Sequence, residues 1–381
     1  MPHFLGIDTQ VFLQQYWQQS VWWAPQALAD YVDCVDADDL AGLACEEAVE
    51  SRIISGRGIE GIWQCQHGPF AEEHFLSLPS ENWTLLVQGL DQWDEKIRAL
   101  LGYFGWLPRW RLDDIMASYA PIGGGVGPHF DYYDVFLLQV SGERQWLLGQ
   151  ICDEQSLLQH NDQVSLLAHF DTVDCYTAKP GDLLYIPARH AHWGTAITND
   201  CISLSIGFRA PSSKEIINAA LEQLIEQLPD NQRYQDTVSS IDNNPFYLNH
   251  QAYRNAEALC QSITPKKLQQ AIHDVFGQLI TETRYHRDDQ PLDQCSIEHL
   301  EQLMLNNTAI QLSIPAHTRL AFDDHYLYIN GERYPASRSF SQCVCQGQVA
   351  AYATQQELAL LAQLLKDGSI ALLTWQSNSS S

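Results

Sequence analysis

Between about Trp110 and Ala210 the chain reads in short runs of alternating apolar and polar positions. DDIMASYA, YDVFLLQV, RQWLLG, TVDCYTA, DLLYIP and CISLSIGF follow one another, separated by Gly, Pro, Asn and Asp. A period of two is the pattern of strands, and strands this short at this spacing predict a β-sandwich or jelly-roll rather than a doubly wound sheet. VSGERQW and KPGD supply tight reversals. Before this region the texture is mixed. FLQQYWQQSVWW and DADDLAGLACEEAVESRIIS predict helices, GIWQCQHGPF and NWTLLVQGL strands, and Asp91 to Leu101 a helix closed off near Pro108.

Strand texture stops at Pro211. Ser212 and Glu215 form a capping box, and Ile216, Ile217, Ala220, Leu221, Leu224, Ile225 and Leu228 fall on one helical stripe. A polar segment from Pro229 to His250 separates it from a second stripe of Leu268, Ile272, Val275, Phe276 and Leu279. These helices either pack within their own domain or form a dimerisation element. Further on, Ser296 caps a helix through Leu305, and LYINGERY predicts an Asn-Gly hairpin. Thr354 and Glu357 form another capping box, before a leucine-rich helix ended by Gly368 and the strand ALLTW. Helices with a hairpin in so short a module suggest a winged helix. The expected class is α+β in three parts: a catalytic domain over 1–211, a helical dimerisation segment over 212–285 and a winged-helix-like domain over 286–381.

Charge narrows the partners. The 381 residues carry 21 basic and 47 acidic side chains, a net charge of −26. A chain this acidic is repelled by phosphate backbones, so direct nucleic-acid binding is not expected and a basic protein partner suits it better. From Asp288 onward 10 acidic and 4 basic residues leave −6, the wrong sign for a DNA-reading winged helix. The ten cysteines are scattered with no CxxC, which speaks against a ribbon zinc site. Neither a signal-like N-terminus nor a membrane-length apolar run occurs, so the reading is a soluble cytoplasmic protein with reduced thiols.

Candidate chemistry centres on PIGGGVGPHFDYYDVFLL. His129 and Asp131 are two apart on what the following residues mark as a strand, so both side chains point to one face, giving an imidazole and a carboxylate to an octahedral Fe(II). The third ligand should come from a later strand, and LLYIPARHAHWGTA offers His190 and His192. His192 is preferred, since it precedes the small Gly194 whereas His190 is expected in the turn after Pro187. An HxD pair alone is weak, but the glycines before it allow close approach of backbone to a metal or substrate. Arg144, after the VSG turn, is positioned to pair bidentately with the distal carboxylate of a dicarboxylic co-substrate. Tyr133 shares parity with His129 and Asp131, and Asp114 with Met116 and Ser118, which makes both candidates for lining a substrate groove. Ser203 and Ser205 share a face of one strand.

GGGVGPHFDYYDVFLLQVSGERQW, PGDLLYIPARHAHWG and SIGFRAP resemble the bacterial JmjC-type ribosomal oxygenases, nearest within that family to the arginine hydroxylases of ribosomal protein L-sixteen. The likeness extends over essentially the whole chain. It implies a double-stranded β-helix (cupin) core, Fe(II) held by His129, Asp131 and His192, and 2-oxoglutarate anchored by Arg144. It also implies a co-substrate contact at Ser203, where relatives tend to carry Asn. The implied reaction consumes O₂ and 2-oxoglutarate, releases succinate and CO₂, and hydroxylates the β-carbon of an arginine in a basic large-subunit ribosomal protein, with no catalytic side chain beyond the metal ligands. The implied assembly is a homodimer through the helical segment, with the winged helix closing part of the groove. A JmjC histidyl hydroxylase of another ribosomal protein, and a non-catalytic cupin binding module, are the alternatives.

Overall fold

The computed structural model describes residues 3–161, 163–244, 246–283, 297, 298, 300, 302, 311–349 and 353–373. They form two compact units, Met1–Ala210 and Pro211–Ser381.

In the first unit a short pair, β1 (His3–Phe4) and β2 (Ile7–Asp8), leads into α1 (Thr9–Gln15), capped by the Asp8 carboxylate. The helix ends there. Trp22 and Trp23, expected to be helical, lie in strand β3 (Trp22–Ala24), which pairs with a later strand at Leu183–Tyr185. Next come α2 (Ala37–Ala44), β4 (Ser51–Ser55), β5 (Gln64–His67), α3 (Glu72–Leu76), β6 (Trp83–Val87) and α4 (Glu95–Leu100). The run expected as one helix from Asp36 therefore stops at Ala44, and SRIIS is a strand. Its Ile53 and Ile54 are buried on opposite faces of a sheet, a placement that suits β-branched side chains.

The strand-rich region yields β7 (Leu112–Ala120), β8 (Asp134–Ser141), β9 (Arg144–Ile151), β10 (Asp174–Ala178), β11 (Leu183–Ile186), β12 (His190–Ala196) and β13 (Cys201–Phe208). These strands form two antiparallel sheets, one ordered β3-β11-β8-β13-β7-β6-β4-β5 and one ordered β10-β9-β12. Alternation divides the large sheet into two faces. Phe136, Leu138, Leu204, Ile206 and Phe208 point to a core shared with Phe12, Leu40, Ile97 and Phe104 of the N-terminal segments. Val135 and Leu137 point the other way and pack with Trp146 and Leu148 of the small sheet. Burial on both faces explains why β8 reads as a nearly continuous apolar run. The space between the sheets holds the site.

The second unit opens with α5 (Ser213–Glu226), whose Ser212/Glu215 capping box forms as expected, followed by α6 (His250–Cys260) and α7 (Pro265–Thr281). Ala220 and Leu224 of α5 pack on Ala271 and Val275 of α7. Beyond them are β14 (Gln311–Ser313), β15 (Leu320–Phe322), β16 (Tyr326–Ile329), β17 (Glu332–Pro335), α8 (Arg338–Cys345), α9 (Gln355–Lys366) and β18 (Ala371–Leu373). The hairpin forms at Asn330-Gly331, both with positive φ, and the Thr354/Glu357 capping box is present. β18 pairs with β14. The Ser296 cap, and Thr374 and Trp375 of the expected strand, lie outside the described residues.

Candidate metal centre

Residues 121–131 form a glycine-rich segment without a strand of its own, hydrogen-bonded to β12 at Ala196 by Gly123 and Gly124 and at His192 by His129. His129 and Asp131 are thus not on a strand, as their spacing suggested. What orders them is a distant partner: His129 and His192 form an isolated antiparallel bridge, with N–H···O distances of 3.1 and 2.8 Å. The backbone N–H of Arg189 donates to the Asp131 carbonyl at 2.6 Å. His190 and His192 both belong to β12, so His190 is not in the turn, and a bulge falls between the two. The bulge gives them separate surroundings although they are two apart.

The ligand atoms of His129, Asp131 and His192 all lie within 4.8 Å of one another. His129 Nδ1 is 2.9 Å from the Gly127 carbonyl, and His192 Nδ1 is 3.0 Å from the His190 carbonyl. Each ring is therefore fixed with Nδ1–H donating outward and Nε2 presenting a lone pair inward. Both Nε2 atoms face Asp131 Oδ2, at 3.9 Å from His129 and 3.6 Å from His192. Bonds of roughly 2 Å to a central cation would fit inside that triangle. His192 is 4% exposed, and burial, with His129 beside it, lowers its pKa to about 4. The imidazole is thus neutral and ready to ligate at neutral pH. Two histidines and one carboxylate suit a non-haem Fe(II) with open positions. His190 takes no part in the cluster; its Nδ1 is near the Ala188 carbonyl.

Arg144 is the second element of the site. It starts β9 on the face shared by Trp146 and Leu148, between Ala178 and Ala196 on the neighbouring strands. It is 3% exposed, and its Nε and Nη2 have no hydrogen-bond partner among the described residues. Orphaned donors on a buried cation are costly, so two of them on one guanidinium form a fork shaped for a carboxylate. Arg144 pairs with Ala196, four residues beyond His192, which is about 13 Å of strand. Trp146 and Gly194 fill the interval: a Cβ on Gly194 would sit 2.5 Å from the Trp146 ring, and one on Gly125 2.2 Å from the Gly194 carbonyl oxygen. Trp146 also lies under the guanidinium, at 5.7 Å from ring centroid to Cζ. The motif reading missed Trp146, although its parity with Arg144 in RQW puts it on the same face.

The other candidates fall around this axis. Ser203 is buried on β13, and its hydroxyl donates to Gln139 Oε1 at 2.8 Å, so its proton is committed within the protein. Tyr133 is 44% exposed, and removal of its phenol from water, with the Asp131 carboxylate beside it, raises its pKa. Asp114 is buried and accepts from Gln88 Nε2 at 2.7 Å and the Gly89 N–H at 3.1 Å. Asp91, equally buried and close by, has its pKa raised to about 6 by burial and by Asp114. Neither Asp91 nor Gln88 carried any signal in a motif.

Residues 99–216 match the model of the JmjC domain. The chain is 34% identical to the ribosomal protein uL16 3-hydroxylase of Escherichia coli over 293 residues, 76% of each protein. It is 32% identical to a probable ribosomal oxygenase of Haemophilus influenzae over 86% of this chain and 82% of that one. Among solved structures, E. coli YcfD superposes with a TM-score of 0.79 at 28% identity, covering 98% of this chain and all of that one. A complex of YcfD, a ribosomal oxygenase, with cobalt and 2-oxoglutarate superposes with a TM-score of 0.76.

Proposed function

The chain belongs to the JmjC-type ribosomal oxygenases, and on that footing we propose that it hydroxylates the β-carbon of an arginine in a basic large-subunit ribosomal protein, uL16. It is a 2-oxoglutarate-dependent dioxygenase with Fe(II) as its metal. When bound, Fe(II) with 2-oxoglutarate and O₂ supplies the oxidising power for an unactivated C–H bond, and succinate and CO₂ leave. The chain's own residues bind and orient. His129, Asp131 and His192 would hold the metal, each histidine kept in its ligating tautomer by a backbone carbonyl. Arg144 would take the distal carboxylate, with Trp146 and Gly194 as the wall along which the co-substrate lies. Ser203 would meet that ligand only as an acceptor, or by releasing Gln139.

The observation that carries this reading is the pair of unpartnered Arg144 nitrogens on the same inward face as His192. A non-catalytic binding module has no need of a buried fork of donors behind a metal triad. On the substrate side, Tyr133 beside Asp131 and Asp114 on the inward face of β7 would border the groove, and their acidic surroundings suit a guanidinium. A net charge of −26 would draw in a basic ribosomal protein and would not hold RNA. Acting on that substrate, the protein would work in the cytoplasm.

The module with the Asn330-Gly331 hairpin, α8 and α9 would serve as a winged-helix-like accessory. Residues of the second unit would join two chains: Ile225, Val238, Phe246 and Leu248 are between 60% and 93% exposed, apolar surface that a partner would cover. The test of function is a reconstituted reaction with Fe(II), 2-oxoglutarate and purified ribosomal proteins. Succinate should form in step with modification of uL16. Modification of a histidine in a different ribosomal protein would replace arginine hydroxylation by the histidyl reading.

A further inference from the structure

A cavity of about 430 Å³ lies on the other side of β12 from the candidate metal triad. Trp193 and Thr195 line it, and strand alternation turns them away from the face that carries His192 and Gly194. Trp63 forms another wall; it is buried, and its indole N–H donates to the Gly58 carbonyl at 3.0 Å, which fixes the ring. Trp193 is braced by the edge of Phe170, with centroids 6.0 Å apart at 80°. The rest of the lining includes glycine backbone, the half-exposed Ile122 and two charged side chains, Glu81 and Arg57. Neither Glu81 nor Arg57 makes a side-chain hydrogen bond or ion pair with a described residue, and they do not pair with each other.

A carboxylate without a partner among the described residues, beside the half-buried Trp193 indole, is a combination that recognises a cation, since an indole face attracts positive charge and a carboxylate adds charge-assisted hydrogen bonds. Ile122 gives the aliphatic stem of a long cationic side chain an apolar surface to cover. Arg57 supplies a donor for a backbone carbonyl of the incoming chain. We propose that this pocket takes an arginine or lysine side chain of the protein substrate, at a position other than the oxidised residue. The substrate would then be gripped on both faces of β12. This rests on the reading of the protein as a hydroxylase of a basic ribosomal protein, and it adds a second anchoring point to it.

Two measurements on the full-length protein separate the pocket from that parent reading. In the reconstituted reaction with uL16, Glu81→Lys should raise KM for uL16 about tenfold, the scale of one lost charged contact. Its kcat, and its 2-oxoglutarate turnover without uL16, should stay at wild-type values. If uL16 is hydroxylated with the same KM by the variant, the pocket proposal fails and the parent reading stands. The second measurement does not depend on uL16. Protein labelled with 5-fluorotryptophan is titrated with N-acetyl-arginine amide, with N-acetyl-glutamate amide as the opposite charge, and the Trp193 signal is assigned by its loss in Trp193→Phe. A shift of that signal by the arginine compound, absent in Glu81→Lys, is the expected result. No shift, or a shift caused by the glutamate compound instead, would overturn the proposal whatever the fate of uL16.

Discussion

Two nitrogens of Arg144 are buried with no partner among the described residues, so a ligand carboxylate there would form bonds that none of those residues supplies. Arg144→Lys keeps the charge and loses the planar fork; KM for 2-oxoglutarate should rise about tenfold or more while Fe(II) affinity measured by titration changes little. His192→Ala should abolish metal binding, and His190→Ala should leave it intact, because of these two histidines it is His192 that turns Nε2 toward Asp131. Asp91 gives a test by pH. Its carboxyl is held above its usual 3.8, at about 6, so the folded state prefers the protonated form. The stability this contributes is complete below about pH 4 and is lost as pH rises through 6. Asp91→Asn, which can still accept from the Ile115 N–H, should therefore raise the melting temperature at pH 8 and not at pH 4. An equal change at both pH values would contradict the assignment. The candidate metal ligands could be named from the sequence because residue type carries their chemistry: HxD and a later histidine are few enough to name. Their backbone setting was not legible, because His129 is ordered by pairing with His192, 63 positions away, and no local pattern reports that.

At the level of strands and helices, close packing at two glycines gives a direct test. Gly194→Ala would drive a methyl group into the Trp146 ring, so 2-oxoglutarate binding should be lost before folding is. Comparing co-substrate titration with thermal melting checks the order. Gly277 on α7 faces the Tyr328 ring of β16, where a Cβ would approach to 2.4 Å. Gly277→Ala should cost about 1–3 kcal/mol in a denaturant titration, as overpacking of a filled site does. Strands and capping boxes were readable because alternation, β-branched residues and a Ser or Thr three before Glu are local signals. Helix α6 was not, since HQAYRNAEALC is polar on average, its apolar positions are mostly alanine, and none of its residues is buried. Trp22 and Trp23 misled for the opposite reason: apolar side chains after a helix look like its continuation until a distant strand claims them.

For the whole molecule, charge and exposed apolar surface set the expectations. Light scattering at micromolar concentration should give twice the mass of one chain; a monomer would remove the role proposed for Ile225, Val238, Phe246 and Leu248. Raising salt should weaken association with a basic protein substrate more than it weakens 2-oxoglutarate binding, because the first depends on long-range attraction and the second on a buried contact. The division near Pro211 was visible in the sequence as the change from alternation to helical stripes, whereas the packing of α7 against both α5 and β16 needed three-dimensional contact to appear. The most direct measurement is the intact mass of uL16 after incubation with the protein, Fe(II), 2-oxoglutarate and O₂, followed by fragmentation. A gain of about 16 Da, one oxygen atom, on a single arginine is the predicted result. It should be absent without 2-oxoglutarate and with Arg144→Lys at low co-substrate. Unchanged uL16 under conditions in which the enzyme turns over 2-oxoglutarate would contradict arginine hydroxylation of this substrate.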